Sequence, residues 1–217
     1  MSITINGSGT LTGISAGGYP DATVTADDLA GTLDISGKTL TLPSKYQVCT
    51  RQSVADAGTT SINFESLPTD TVKIQVNWWE VGGTNYTGNE DNRIIVQLGT
   101  TGSHTYKTSG YNTSSFNVPT TSGAAPLGIH STNYEGVSFH LWANNEQENA
   151  HLEFTKVGGN RWVFTGHSQI SATGGWVTQC TGSVDLGADV TCVRLTTRGG
   201  TNTLPNGNSS VMTWSAP

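Results

Sequence analysis

The side chains in this sequence best able to do chemistry are its carboxylates and histidines. Glu65, Asp70, Glu80, Glu90, Asp91, Glu135, Glu146, Glu148 and Glu153 are among the carboxylates available for acid–base work. Cleaving a glycosidic bond needs two of them facing each other across a cleft, at a separation that sets the stereochemical outcome. No two stand at a spacing that defines such a pair, and most fall at strand ends and turns, where an acid is simply solvated. No Gly-x-Ser-x-Gly elbow precedes a helix, and no cysteine stands near a histidine in a recognisable way. Nucleophilic catalysis therefore has no support, and the chain is not expected to be an enzyme.

Metal ligation has two candidate places. His140, His151 and Glu153 fall on one face if residues 137–154 fold as a hairpin, and imidazole with carboxylate can hold a divalent ion. Their spacing matches no strong pattern, and a solvated His–Glu surface pair explains them more simply. GNEDN, residues 88–92, puts Asn89, Glu90, Asp91 and Asn92 on a tight turn with oxygen donors for calcium, without the loop logic of a dedicated site. GGTNYTGNE is glycine-rich but leads into the strand-like NRIIVQLG rather than a helix, so it is no phosphate cradle. No metal and no cofactor is expected.

Binding is the more promising chemistry. An aromatic ring with Asn, Asp or Gln beside it suits a sugar, whose apolar face stacks while its hydroxyls need directional partners. Segments that read as loops carry this mixture: Tyr86 in GGTNYTGNE, Tyr111 with Asn112, Tyr134 with Asn133, and the tip ANNEQENA with Asn144, Asn145 and Glu146. Plain turns use the same residues, so the set as a group is the candidate rather than any one member.

Such groups must be positioned by strands. The 217 residues include 27 glycines and only 12% charged residues, with Thr, Val, Trp, Tyr and Asn plentiful and Ala, Leu, Glu and Lys scarce, the makeup of short strands joined by many turns. The expected class is all-β. A net charge of −6 with no basic cluster gives neither nucleic acid nor an anionic membrane an electrostatic footprint. MSITINGSGT has no basic region followed by an apolar run, and no segment has the apolar length that spans a bilayer, so the expectation is a soluble chain made in the cytoplasm. Cys49, Cys180 and Cys192 are too few for a disulfide scaffold. If SVDLGAD turns a hairpin, Cys180 and Cys192 could lie opposite each other, as a disulfide or as two buried thiols.

Residues 1 to about 52 hold short Ile/Leu/Thr alternations broken by Gly, too poor in large side chains to bury a core alone. Between them TVTADDLAG offers Thr25 as an N-cap and Gly31 as a stop for a single helical turn, with a polar loop as the alternative. From Ser61 onward longer strands carry nearly all the large apolar residues, in the rhythm of a sandwich or barrel. The expected domains are 1–60 and 61–217.

Several of these strands place apolar bulk on both faces. In TVKIQVNWWEV, Val72, Ile74, Val76 and Trp78 form one row, while Lys73, Gln75 and Asn77 form another that ends in Trp79. Folding VSFHLWANNEQENAHLEF about the Glu146–Gln147 bond sets Phe139 against Phe154 and Leu141 against Leu152. On its other face His140 then opposes Glu153, and Trp142 opposes His151. In RWVFTGHSQI, Trp162 and Phe164 share one face while Val163 takes the other. Trp79, His140, Trp142 and Val163 thus mark a face that is covered by loops of the same chain, by a second subunit or by a ligand.

The run NRWVFTGHSQISATGGWVTQCTGSVDLGADVTCVRLTTRGGTNTLPNGNSSVMTW resembles the jelly-roll head domains at the ends of bacteriophage tail fibres, which share a W-x-F/A-x-G strand, a strand like VRLTT with a Gly-Thr-rich loop after it, and a short closing strand. MSITINGSGTLTGISAGGYPDATVTADDLAGT is similar to the starts of phage tail and baseplate fibre proteins. The segment from Thr71 to Tyr134 carries no diagnostic motif, and the ending VMTWSAP departs from the acidic ending of the family. The resemblance implies a jelly-roll-like β-sandwich head, residues 61–217, that binds host-surface glycan. It also implies a small β-rich module, residues 1–60, for trimerisation and for attachment to other tail or baseplate proteins, in a homotrimer on the virion. Trimerisation would cover the face that carries Trp79 and Trp142. A purely structural connector or decoration protein that binds another virion protein is the alternative reading.

Overall fold

A computed structural model of the chain describes in full residues 59–82, 93–100, 105–119, 125–126, 128, 130–132, 134–139, 147–170 and 175–204. It describes the backbone alone for strand residues 4–5, 11–12, 46–48, 52–54, 127, 129, 133 and 207–215. The chain divides into two compact units, residues 1–42 and 43–217. In the first, β1 (Thr4–Ile5) pairs antiparallel with β2 (Leu11–Thr12). The expected helical turn at 25–31 lies outside the described residues.

The second unit begins earlier than the expected boundary at residue 60. Its strands are β3 (Tyr46–Val48), β4 (Gln52–Val54), β5 (Ser61–Phe64), β6 (Thr71–Gly82), β7 (Ile94–Thr100), β8 (Thr105–Tyr106), β9 (Tyr111–Pro119), β10 (Leu127–Tyr134), β11 (Val137–Ser138), β12 (Gln147–Gly158), β13 (Arg161–Ile170), β14 (Trp176–Asp185), β15 (Val190–Thr197) and β16 (Gly207–Ser215). Both β3 and β4 pair with β16, so residues 46–54 belong to the sheet of this unit and not to a separate module.

Among the described residues every pairing is antiparallel, and the strands of the second unit form two sheets. The larger runs β10-β9-β14-β13-β12-β6-β16-β3 with β4 also on β16, and the smaller runs β11-β7-β15-β5 with β8 also on β7. A single apolar cluster joins them: Ile74, Val76, Trp78, Leu152, Phe154, Trp162 and Phe164 of the large sheet meet Ile62, Phe64, Leu98, Val193 and Leu195 of the small one. The protein is therefore an all-β sandwich, its core formed by the inner faces of both sheets. Trp78 meets Phe139 edge-on at 5.5 Å between ring centres, and Phe154 meets Phe164 at 5.6 Å.

The adjacent Trp78 and Trp79 are separated by a bulge. Glu148 pairs with Val81 and Ala150 with Trp78, so Trp79 and Glu80 together oppose Asn149 alone. Glu80 takes a left-handed φ of 56°, and its N–H donates to Asn149 Oδ1 at 2.9 Å, which holds the strained residue in place. Trp78 points into the core, whereas Trp79 is half-buried on the other side.

The hairpin expected over residues 137–154 does not form. Both edges of β12 are taken, by β6 and β13, while β11 pairs with β7 in the opposite sheet. Phe139 reaches the same core from the other side, which is why its apolar spacing matched that of Phe154 without the two strands being neighbours. His151 accordingly opposes Asn77 and His167, and Glu153 opposes Gln75 and Thr165. The hairpin through SVDLGAD is likewise a crossing between sheets: β14 lies in the large sheet and β15 in the small one, and Cys180 and Cys192 are free buried thiols. Among the described residues no helix is long and apolar enough to cross a membrane.

Close packing between β14 and its neighbours depends on Gly182. A Cβ there would overlap the Asn112 carbonyl oxygen and the ring of Phe164, one backbone and the other core. Gly182→Ala is expected to destabilise the protein by roughly 2–3 kcal/mol in a urea titration. Gly128→Ala, where an added Cβ meets nothing, should stay within about 0.5 kcal/mol of the unaltered protein.

Candidate functional site

The alternation that buries Trp162, Phe164 and Ile170 sends Thr165, His167 and Gln169 to the outer face of the large sheet. Registers across neighbouring strands align these residues into rows. One row reads Asn77, His151, His167, Gln179 and Phe116 across β6, β12, β13, β14 and β9. The adjacent row reads Gln75, Glu153, Thr165, Thr181 and Ser114, and continues to His130 on β10. A cavity of about 560 Å³ opens over both rows, lined by His151, Glu153, His167, Gln179 and Phe116 among others.

The His151 side chain is held at both ring nitrogens. Nδ1 lies 2.8 Å from Asn77 Oδ1, which can only accept, so Nδ1 carries the proton. Nε2 then accepts from Gln75 Nε2 at 3.2 Å. Protonating His151 would put a second N–H against the Gln75 amide donor. Burial, joined by the neighbouring His167, already holds this imidazole below its ordinary value of 6.5. The two rings lie 5.3 Å apart and tilted. Lys73 bridges Glu153 at 2.8 Å at the edge of the cavity, and the Ser114 hydroxyl meets His130 Nδ1 at 2.8 Å on the far side.

Phe116 is 49% exposed beside this polar ladder, with Val177 and Val118 paired next to it and also exposed. A phenyl ring flanked by amide, imidazole and hydroxyl groups can stack on an apolar surface and bond directionally at its rim. Among the described residues lining this cavity Glu153 is the sole carboxylate. Burial first and the nearby Glu148 second push the Cys180 thiol beneath the cavity well above its ordinary value, so it is no nucleophile at neutral pH.

Directly under the face sits a buried carboxyl. Glu148 Oε2 accepts from the Trp78 indole N–H at 3.2 Å, and its Oε1 has no hydrogen-bond partner among the described residues. Burial pushes this group up from 4.5 to about 7. The Ser168 hydroxyl, beside it but outside hydrogen-bond geometry, and the Trp78 N–H both favour the charged form.

The aromatic loop residues expected to stack on a sugar fall elsewhere. Tyr111 is not on a loop: it starts β9 with its side chain fully buried, and its hydroxyl accepts the Leu98 backbone N–H at 2.8 Å, tying the sheets together. Tyr134 ends β10, also buried, with Arg93 Nη1 donating to its hydroxyl at 3.4 Å and Arg198 lying over its ring. Neither can serve as an exposed platform. Asn112 is exposed on the outer face opposite Ser183, and Asn133 lies in β10. Tyr86, Asn144, Asn145 and Glu146 lie outside the described residues, as do His140, Trp142 and the 88–92 turn. Of the expected subunit-contact residues, Trp79 is half-buried and Val163 is exposed on the outer face. His151 and Glu153 do share a face, but no group of three or more His, Cys, Asp or Glu among the described residues could hold a metal ion.

Sequence reading missed the row through His167, Gln179 and Phe116. Its signal was present in the T-x-H-x-Q alternation of β13, opposite the core residues Trp162 and Phe164. Comparison with protein families, with curated proteins and with solved structures gave no match.

Because Glu148 has a raised value in the folded state, its contribution to stability is fully present below about 4.5 and is lost as pH rises through about 7. Glu148→Gln keeps an acceptor for Trp78 and removes that titration. The variant should gain stability relative to the unaltered protein between pH 5 and pH 8, by on the order of 3 kcal/mol, read from urea midpoints across that range.

Proposed function

We propose that this chain is an adhesion protein of a phage tail fibre or baseplate, whose jelly-roll-like head holds a host-surface glycan on the outer face of its large sheet. The N-terminal residues attach it to other tail or baseplate proteins, and three copies assemble as a homotrimer on the virion. The resemblance of both ends of the chain to phage fibre proteins motivates the setting. The observation that carries the binding role is the row His151, His167, Gln179 and Phe116 lying open under one cavity.

Such a face suits reversible recognition of a sugar. The polar side chains stand on paired strands and His151 is held at two points, so few rotamers are lost on binding. A shallow site binds weakly by itself, and three copies side by side raise the local concentration for each later contact. A connector that binds another virion protein is the second reading, and the exposed apolar group Phe116, Val118 and Val177 favours it.

Three measurements test the proposal. On a glycan array the full chain should bind a defined subset of host-surface glycans, and Phe116→Ala should weaken that binding about tenfold or more. Specific capture of a purified tail or baseplate protein through the same face, with no glycan bound, would favour the connector. Light scattering should give the mass of three chains, and a mass of one chain would remove the trimer.

A further inference from the structure

A second cavity, of about 370 Å³, opens next to the first on the outer face, lined by Asn149, His151, His167, Gln169 and Val177 among others. Both cavities are lined by His151 and His167, so they are two ends of one trough with the imidazole pair at its middle. The trough follows the strands. Thr165 lines one end and Gln169 the other, and a separation of four residues along β13 is roughly 13 Å at the rise of an extended strand. That is longer than a single pyranose ring.

Charge decides what class of sugar the trough accepts. Among the described residues no lysine or arginine lines either end, and the one carboxylate that does, Glu153, is already engaged by Lys73. Among these lining residues an anionic ligand would meet a carboxylate and no lysine or arginine. Hydroxyls would meet Gln169, Gln179, Thr165, Thr181 and His167, groups that both donate and accept. His151, occupied at both nitrogens, is a fixed side chain at the middle of the trough.

Resting on the adhesion reading above, we infer that the trough takes an uncharged oligosaccharide, longer than a monosaccharide, laid along the strands across the His151–His167 pair. The ligand runs from Thr165 at one end to Gln169 at the other, with Phe116 beside its middle, across β14 from the imidazole pair.

The test uses the full chain. An array of neutral, carboxylated and sulfated host-type oligosaccharides is followed by calorimetric titration of the best binder and its shortened forms. Neutral oligosaccharides should bind best, with the monosaccharide weaker by tenfold or more. Gln169→Ala should weaken the long ligand and leave the monosaccharide unchanged, whereas Gln179→Ala should weaken both, each variant melting as the unaltered protein does. Preference for carboxylated or sulfated glycans, or equal affinity for monosaccharide and oligosaccharide, would overturn the neutral trough while leaving glycan adhesion standing. Absence of binding to every glycan class by the folded protein would overturn the adhesion reading together with the trough.

Discussion

The register of β12, hydrogen-bonded on one edge to β6 and on the other to β13, is the constraint on which the rest of the structure depends. On its inner side Phe154 stands between Ile74 and Phe164, and Leu152 between Val76 and Gly166. On its outer side Glu153 stands between Gln75 and Thr165, and His151 between Asn77 and His167. A slip of one residue would exchange the two sides, sending His151 and Glu153 into the core and Leu152 and Phe154 into water. Burying those polar groups without partners costs several kcal/mol each by the usual scale of about 2–7 kcal/mol. The packing that stabilises the sandwich is thus also what assembles the outer rows, with no loop needed to build them.

The bulge at Trp79 and Glu80 qualifies this regularity. It absorbs one residue of β6, so that Val81 returns to the inner side after Trp78, and it lets β12 continue with Glu148 inward opposite Val81. A carboxyl therefore occupies a core position, where the Trp78 N–H partners one oxygen and nothing among the described residues partners the other. The local strain at Glu80 is offset by Asn149, which stands opposite the bulge and accepts the Glu80 N–H. Bulges that re-aim side chains beside a binding face are common in sheets, and this one lies at the Asn149 end of the trough.

What was legible in the sequence follows from this. The alternation in RWVFTGHSQI and TVKIQVNWWEV assigned Trp162, Phe164, Ile74, Val76 and Trp78 to the core correctly, because period two is a local property of a strand. Which strand lies beside which is not local. Val137 and Phe139 share the apolar spacing of Leu152 and Phe154 because both pairs face one core, from opposite sheets, and alternation by itself cannot distinguish that arrangement from a hairpin. Tyr111 and Tyr134 misled for another reason. The inner positions of β9 after Tyr111 are Thr113, Ser115 and Asn117, so the strand reads as polar throughout, although Asn117 is fully buried and accepts from the Thr178 hydroxyl at 2.6 Å. An inner face of small polar side chains leaves no hydrophobic signature, and the aromatic next to Asn112 then looks like a loop residue. His167 and Gln179 escaped because single polar residues on a wet face are ordinary, and only cross-strand register turns them into a row.

Two ionisable groups on opposite sides of the same sheet set a further condition on that row. Glu148, below the face, is held neutral by burial and becomes charged as pH rises through about 7, which strains the core. His151, on the face, is held neutral by burial and by His167. Its contribution is fully present above 6.5 and is lost as pH falls through its depressed value, when Gln75 would confront an N–H. The signs are opposite, so the sheet is free of both charges only in the band between the depressed value of His151 and about 7. Within that band the ladder offers hydroxyls a neutral imidazole with a fixed tautomer, and the strands beneath it carry no buried charge to relax. Outside it, one of these two groups of β12 carries a charge that its surroundings oppose.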